Sequence, residues 1–137
     1  MFKALIPAAL LVAAAVPAHA ACTQANIAGT WTAYSLSQDN SGQLAWTTCN
    51  LVINTSGAFS TANSSCTASG QTVAVQGSVK PTGAARCAYS GSITAPSVGT
   101  TDPIPSLTLS LDKQSAIGVT GTNGAGNVSG FSMMKIK

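Results

Sequence analysis

Short runs of alternating apolar and polar residues, separated by turn-forming clusters, dominate the chain after residue 20. The alternation is clearest in Val73 and Val75 and in Leu107, Leu109 and Leu111. A period of two places one type of residue on each face of a β-strand. No stretch after residue 20 keeps the i, i+3, i+4, i+7 spacing of an amphipathic helix. The sequence therefore predicts an all-β fold.

Six turn clusters rich in Gly, Asn, Asp and Ser, together with the proline-containing segment 95–105, divide this part of the chain into eight segments. The clusters lie at 39–42, 54–57, 67–70, 80–83, 112–115 and 122–126. The predicted strands are 28–37, 44–54, 58–66, 72–80, 86–94, 105–112, 116–122 and 127–136. Short turns require consecutive strands to pair, and a closed sheet buries its apolar face and removes both edges. We therefore predict an eight-stranded antiparallel up-and-down barrel, a meander in which the proline-containing segment 95–105 is the one longer loop.

The first 20 residues have the three parts of a secretory signal peptide. Lys3 lies near the start, an apolar run follows over 4–16, and small residues flank His19. This run is shorter than the roughly 20 residues that cross a bilayer. No aliphatic residue stands three positions before Cys22, which argues against lipid attachment. We predict cleavage after Ala20, a single domain over 21–137, no membrane span and a periplasmic or secreted location.

Four cysteines in an exported chain of this size indicate two disulfide bonds. Facing residues of a hairpin have a constant index sum, and pairing Cys49 with Cys66 centres the turn beside the predicted cluster at 54–57. That pairing leaves Cys22 for Cys87, although four cysteines allow three connectivities. No Cys-x-x-Cys spacing is present and no histidine follows residue 20, so we expect no metal site.

Charge and composition exclude several classes of function. Charged residues make up 7% of the chain and the formal net charge is +3, which is too little for a nucleic-acid-binding surface. The three aspartates fall in predicted turns and in the 95–105 loop, and residues 21–137 contain neither histidine nor glutamate. Ser and Thr therefore have no ordinary base to activate them, and we expect no enzyme and no cofactor. We also expect a monomer.

The segment Ile27-Ala28-Gly29-Thr30-Trp31 resembles the Gly-x-Trp motif that opens calycin-type barrels, namely lipocalins, avidins and the bacterial inhibitors of secreted metalloproteases. In these families the tryptophan plugs one end of the barrel. The chain is most similar to the inhibitors, which also have a cysteine that opens an alternating strand, here 49–54, and is bridged to the next strand. The resemblance implies an exported barrel, but the tail at 21–26 is short for insertion into a protease cleft.

An eight-stranded barrel is either filled by its own side chains or holds one small ligand, and the sequence leaves both alternatives open. Aromatic residues are the candidate ligand contacts: Trp31, Tyr34, Trp46, Tyr89 and Phe131. We expect a non-catalytic exported barrel that binds a small molecule or a saccharide. The alternative is a protein-binding module, such as a protease inhibitor or an envelope interaction protein, that uses the 95–105 loop or the N-terminal tail.

Overall fold

The computed structural model describes residues 21–38, 43–121 and 128–136, so the predicted signal peptide and the predicted turns at 39–42 and 122–126 lie outside the described residues. The described residues form nine strands: β1 (Gly29–Gln38), β2 (Leu44–Ile53), β3 (Ser65–Ala68), β4 (Gln71–Ala74), β5 (Gln76–Gly83), β6 (Ala88–Ala95), β7 (Thr100–Leu109), β8 (Ser115–Gly121) and β9 (Val128–Lys135). They also form short 3-10 helices at Gln24–Ile27, Ala84–Arg86 and Pro96–Val98. In this part of the chain no helix has the length and hydropathy needed to cross a membrane.

All the strands belong to one antiparallel sheet that curls into a barrel. Its order is β4-β3-β2-β1-β9-β8-β7-β6-β5, so that β1 pairs with both β2 and β9. Neighbours in the sheet are neighbours in sequence except at the β1–β9 pair, as an up-and-down meander requires. The predicted all-β antiparallel meander is therefore confirmed.

The predicted strand 72–80 is divided in two, which is why the described residues contain nine strands rather than eight. β4 pairs with β3, placing Val73 opposite Cys66, whereas β5 pairs with β6, placing Gly77 opposite Ile93. Val75 lies between the halves, and its backbone N–H donates to the carbonyl oxygen of Ser64 over 3.0 Å. The two edge strands of the sheet, β4 and β5, are therefore consecutive in the chain, and we call the junction between these two edges the seam.

Residues 57–59 close one part of this seam. The backbone N–H of Phe59 donates to the Gly77 carbonyl, and that of Val79 donates to the Gly57 carbonyl, both over 2.9 Å. Gly57 has a φ of +83°, and a Cβ on it would lie 2.1 Å from the carbonyl oxygen of Val79. A glycine is therefore required where the loop after β2 meets β5.

The third strand is shorter than predicted, because the chain leaves the sheet between residues 60 and 64. Ile53 and Phe59 form an isolated bridge, and regular pairing resumes only at Ser65. In between, the Ser64 hydroxyl accepts a hydrogen bond from the backbone N–H of Val52 over 3.0 Å. A side chain here replaces the carbonyl that a continuous strand would supply, and the predicted strand 58–66 is wrong over most of its length.

The prediction of a long loop over 95–105 is also wrong. A 3-10 turn at Pro96–Val98 leads directly into β7, which begins at Thr100 and contains Pro103 and Pro105. This first half of β7 pairs with β6, while pairing with β8 begins only at Ser106. Within the described residues this half of β7 has a strand partner on one side alone, and prolines at such positions can be accommodated without the loss of sheet hydrogen bonds.

One end of the barrel is closed by the N-terminal segment. Trp31 is fully buried, and its indole donates a hydrogen bond to the carbonyl oxygen of Ile27. The Tyr89 hydroxyl donates to the Thr23 carbonyl over 2.7 Å, and the Gln24 amide donates to the Val79 carbonyl over 2.9 Å. Around these contacts lie the inward side chains of the strands that meet at this end: Leu107, Leu109, Ala116 and Met133. Trp31 thus plugs the closed end, as Gly29-x-Trp31 led us to expect.

Both predicted disulfide bonds are confirmed. Cys49 and Cys66 face each other in the β2–β3 register, as the constant index sum of a hairpin predicts. Cys22 is bonded to Cys87 at the start of β6, and its backbone N–H donates to the Ala84 carbonyl over 3.0 Å. The second bond therefore fixes the N-terminal segment across the closed end.

Candidate functional site

A cavity of about 260 Å³ occupies the opposite half of the barrel. Its apolar lining is Leu51, Val73, Val75, Ile93, Ile104 and Phe131, together with Ala33, Ala95 and the Cys49–Cys66 disulfide. Its polar lining is Ser35, Ser37, Thr47, Thr100, Asp102 and Thr120. The polar residues concentrate at the end where β1 finishes and β7 begins. We call this the open end of the barrel. The site therefore has an apolar body and, at the open end, a rim of polar residues, most of which carry hydroxyl groups.

The cavity exists because the inward side chains of β1 become small towards its end. Alternate residues of this strand face the interior: Trp31, Ala33, Ser35 and Ser37. The tryptophan fills the closed end, whereas the alanine and serines leave space unfilled. In a barrel of about eight strands the interior is just wide enough for side chains to fill it. One strand with small inward residues is therefore enough to open a cavity. Phe131 of β9 lies opposite Ser35 in the register and bounds this space.

Asp102 is the ionisable residue of the cavity lining in the part of the chain that the structure describes. It alternates with Ile104 on β7 and stands opposite Ile93 of β6. Burial raises the pKa of its carboxyl above the ordinary value, because a charged group loses hydration inside the barrel. No hydrogen bond from a described residue offsets this loss. The carboxyl is only partly buried and faces the cavity.

The structure does not bring the five candidate aromatic residues together. Phe131 lines the cavity, whereas Trp31 and Tyr89 are buried at the closed end, 0% and 1% exposed. Tyr34 and Trp46 lie on the outer surface, 47% and 66% exposed. Among these five described residues, only Phe131 can contact a molecule inside the cavity.

Sequence reasoning missed Asp102 and the small residues of β1. Asp102 was assigned to a loop because of the surrounding prolines, although its alternation with Ile104 was a signal that it faces inward. The small residues were missed because the periodicity at the open end is inverted: Tyr34 and Leu36 point outward, and Ser35 and Ser37 point inward. An apolar residue on an alternating strand is ordinarily assigned to the interior, which here gives the wrong face.

The outer surface at the open end is consequently apolar. Leu36 and Trp46 are paired in the β1–β2 register, and Tyr34 and Leu44 lie beside them. All four are at least one-third exposed. An exposed apolar group of this kind on a small protein is often a contact surface.

Comparisons with known proteins support the fold and leave the family open. No protein-family model matches the chain, and no curated protein matches it either. Among solved structures, a redesigned beta barrel is similar, with a TM-score of 0.58 and 15% sequence identity. The alignment covers 85% of this chain and 99% of the designed one. At this identity the similarity extends to the barrel fold alone.

Proposed function

We propose that this protein is an exported, non-catalytic β-barrel that binds one small, mainly apolar molecule in the cavity at its open end. The observation that carries the proposal is the cavity itself, which small inward residues open beside Phe131. A binding site of this kind is concave, mostly apolar and provided with a few polar groups that orient the ligand. The lining described above has this composition.

The size of the cavity limits the ligand. An engineered apolar cavity of about 150 Å³ holds benzene, whereas drug-sized ligands occupy roughly 300–1,000 Å³. A volume of about 260 Å³ therefore suits one aromatic ring or a short aliphatic chain with one or two additional groups. The apolar walls favour such a molecule over a saccharide, whose hydroxyl groups would find few partners below the rim.

The absence of catalysis is part of the proposal. Acid–base chemistry requires a second group that can exchange a proton with the first or with a nucleophile. Among the described residues of the lining, Asp102 has only serine and threonine hydroxyls around it, and no described lining residue is a histidine, lysine or glutamate. This composition supports a binding role.

Export to the periplasm or the medium is supported by the signal-like segment at 1–20 and by the two disulfide bonds, which form in oxidising compartments.

The kinship with calycin-type barrels that Gly29-x-Trp31 suggests is likewise a proposal. It is supported by the position of Trp31 at the closed end of an up-and-down barrel.

A protein-binding role is the second candidate, and the exposed apolar group around Leu36 and Trp46 favours it. Insertion of the N-terminal tail into a protease is less favoured, because the Cys22–Cys87 bond holds that tail on the barrel. Use of a 95–105 loop is less favoured as well, because most of that segment is strand. Replacing Trp46 by Ala would weaken such a partner contact while leaving the cavity intact.

Saturation-transfer NMR with benzyl alcohol tests the cavity proposal on the purified, disulfide-bonded protein. The variant Ser35→Leu places a larger side chain inside the cavity, and Ser132→Leu makes the same change on the exposed face of β9. We expect saturation transfer in the natural protein and in Ser132→Leu, and its loss in Ser35→Leu. Equal transfer in both variants, or none in the natural protein, would refute binding in this cavity.

A further inference from the structure

Among the described residues, no cationic side chain lies beside the Asp102 carboxylate in the cavity lining. This carboxylate lies on the inner face of β7 between Thr100 and Ile104, where burial has already removed part of its hydration. The facing residue of β6 is Ile93, and the residue of β8 in the cavity lining is Thr120. Neither carries a charge, so the described parts of these strands supply no compensating group.

The cations of the described chain lie elsewhere. Lys135 belongs to the closed end, where its ammonium nitrogen lies 5.3 Å from the centroid of the Trp31 ring and donates to the carbonyl oxygen of Asn26. Lys80 and Arg86 are exposed beside that same end, and Lys113 lies in the turn between β7 and β8. None of these four lines the cavity. Within the described residues, Asp102 is therefore the one charged group of the cavity lining, and its carboxylate makes the electrostatic potential there negative.

An unpaired, partly desolvated carboxylate favours a ligand that brings both a positive charge and N–H donors. A charge-assisted hydrogen bond is shorter and about twice as strong as a neutral one, and it is stronger still where water is partly excluded. The Thr100 and Thr120 hydroxyls can accept further hydrogen bonds from the same group. An anionic ligand would instead meet repulsion without any donor of positive charge in the described lining.

From this arrangement, and resting on the proposed function, we infer that the cavity selects small primary amines with an apolar body, and that Asp102 binds their ammonium group. The apolar body lies against Phe131, Ile93 and Ile104, and the ammonium group lies at the hydroxyl-lined rim. Asp102 is thus the specificity-determining residue, whereas the apolar walls supply affinity that is common to all ligands of suitable size.

Three probes of nearly equal size separate this inference from the proposed function: benzylamine, benzyl alcohol and benzoate. Their dissociation constants are measured at pH 7 by NMR titration of the full, disulfide-bonded protein. A hydrogen bond to a charged group contributes about 1.5–3 kcal/mol, so we expect benzylamine to bind roughly ten- to a hundredfold more tightly than benzyl alcohol. Benzoate should bind most weakly.

The variant Asp102→Asn keeps the shape of the residue and removes its charge. We expect it to bind benzylamine and benzyl alcohol about equally, while its affinity for benzyl alcohol stays that of the natural protein. Asp112→Asn is the matched control, because Asp112 lies in an exposed turn away from the cavity, and it should keep the preference for the amine. A near-ultraviolet circular dichroism spectrum checks that each variant is folded.

The possible outcomes are distinct. If benzyl alcohol binds as tightly as benzylamine, or if Asp102→Asn retains the preference, the selection of amines is refuted while binding in the cavity stands. If benzyl alcohol does not bind the folded protein, the proposed function itself fails, and the present inference, which rests on it, fails with it.

Discussion

The indole Nε1 of Trp31 donates a hydrogen bond to the carbonyl oxygen of Ile27 over 2.8 Å, and both residues are fully buried. The tryptophan at the start of β1 is thereby held by the segment that precedes the strand. The largest side chain of the core thus lies at the closed end, whereas the same strand presents only small side chains to the cavity. The packed core around Trp31 and the cavity consequently lie in different halves of one barrel.

Replacing Trp31 by Phe should lower stability without changing ligand affinity. The substitution removes buried volume and leaves the Ile27 carbonyl without its donor, so we expect a loss of about 2–3 kcal/mol in the free energy of unfolding. Trp46→Phe is the control, because this side chain is 66% exposed and surface substitutions usually change stability by less than about 0.5 kcal/mol. Urea denaturation measures both, and a similar midpoint for the two variants would contradict the assignment.

The two disulfide bonds should contribute unequally to stability. Cys22 and Cys87 are 65 residues apart in sequence, whereas Cys49 and Cys66 are 17 apart. Loop-closure entropy predicts about 4 kcal/mol for the longer loop and about 3 kcal/mol for the shorter one. Thermal unfolding of the two double Cys→Ala variants compares them, and the variant that lacks Cys22–Cys87 should have the lower Tm. The reverse order would mean that fixing the N-terminal segment contributes little.

Gly57 should be far less replaceable than Gly70. Both have a positive φ, +83° and +77°, but a Cβ at Gly57 would clash with the Val79 carbonyl, whereas nothing lies within 4 Å of one at Gly70. Gly57→Ala combines backbone strain of about 1–3 kcal/mol with separation of the seam, while Gly70→Ala carries the strain alone. Hydrogen exchange at the Phe59 and Val79 amides should therefore accelerate in Gly57→Ala and stay slow in Gly70→Ala. Equal exchange rates would mean that the seam does not depend on this contact.

Local periodicity predicted the elements that lie in regular pairing. The alternation over Leu107 and Leu109 agrees with the burial of both residues, and the hairpin register identified the Cys49–Cys66 bond. Leu111, the third residue of the same alternation, lies beyond the end of β7 and is exposed, so the prediction was wrong there. What local periodicity could not predict depends on distant partners. The division of a strand at Val75 follows from the change of neighbour from β3 to β6. Pro103 is accommodated in a strand because, within the described residues, that part of β7 pairs with β6 alone. Neither the change of neighbouring strand nor the one-sided pairing can be recognised from the local sequence.

The candidate site was predicted less well than the fold, for a related reason. Aromatic residues were expected to line the interior, but at the open end Tyr34 lies outside and Ser35 inside. A period of two identifies two faces without stating which one is buried. Which face of β1 is buried is decided by its pairing with β2 and β9, and the burial of Trp31 at the other end of the strand marks that face.

Asp102 and Asp112 should affect the pH dependence of stability with opposite signs. Burial raises the folded-state pKa of Asp102, so the folded state binds more protons than the unfolded state at pH values just above 3.8, and stability falls as pH rises through this window. At Asp112 the Ser110 hydroxyl, followed by the Gln114 backbone N–H, lowers the pKa of the carboxyl. That residue contributes stability above the unfolded-state pKa and loses it as pH falls through the folded-state pKa.

Asp102→Asn should therefore stabilise the protein at pH 7 and have a smaller effect at pH 3, where the natural carboxyl is protonated in both states. Asp112→Asn should destabilise it at pH 7, because the Asn side chain lacks the charge that strengthens those two hydrogen bonds, and this effect should also shrink at low pH. Urea midpoints of the natural protein and both variants at pH 3 and pH 7 provide the measurement. A loss of stability in Asp102→Asn at pH 7 would show that the carboxylate has a partner that offsets its burial, and would remove the ground for its recognition of amines.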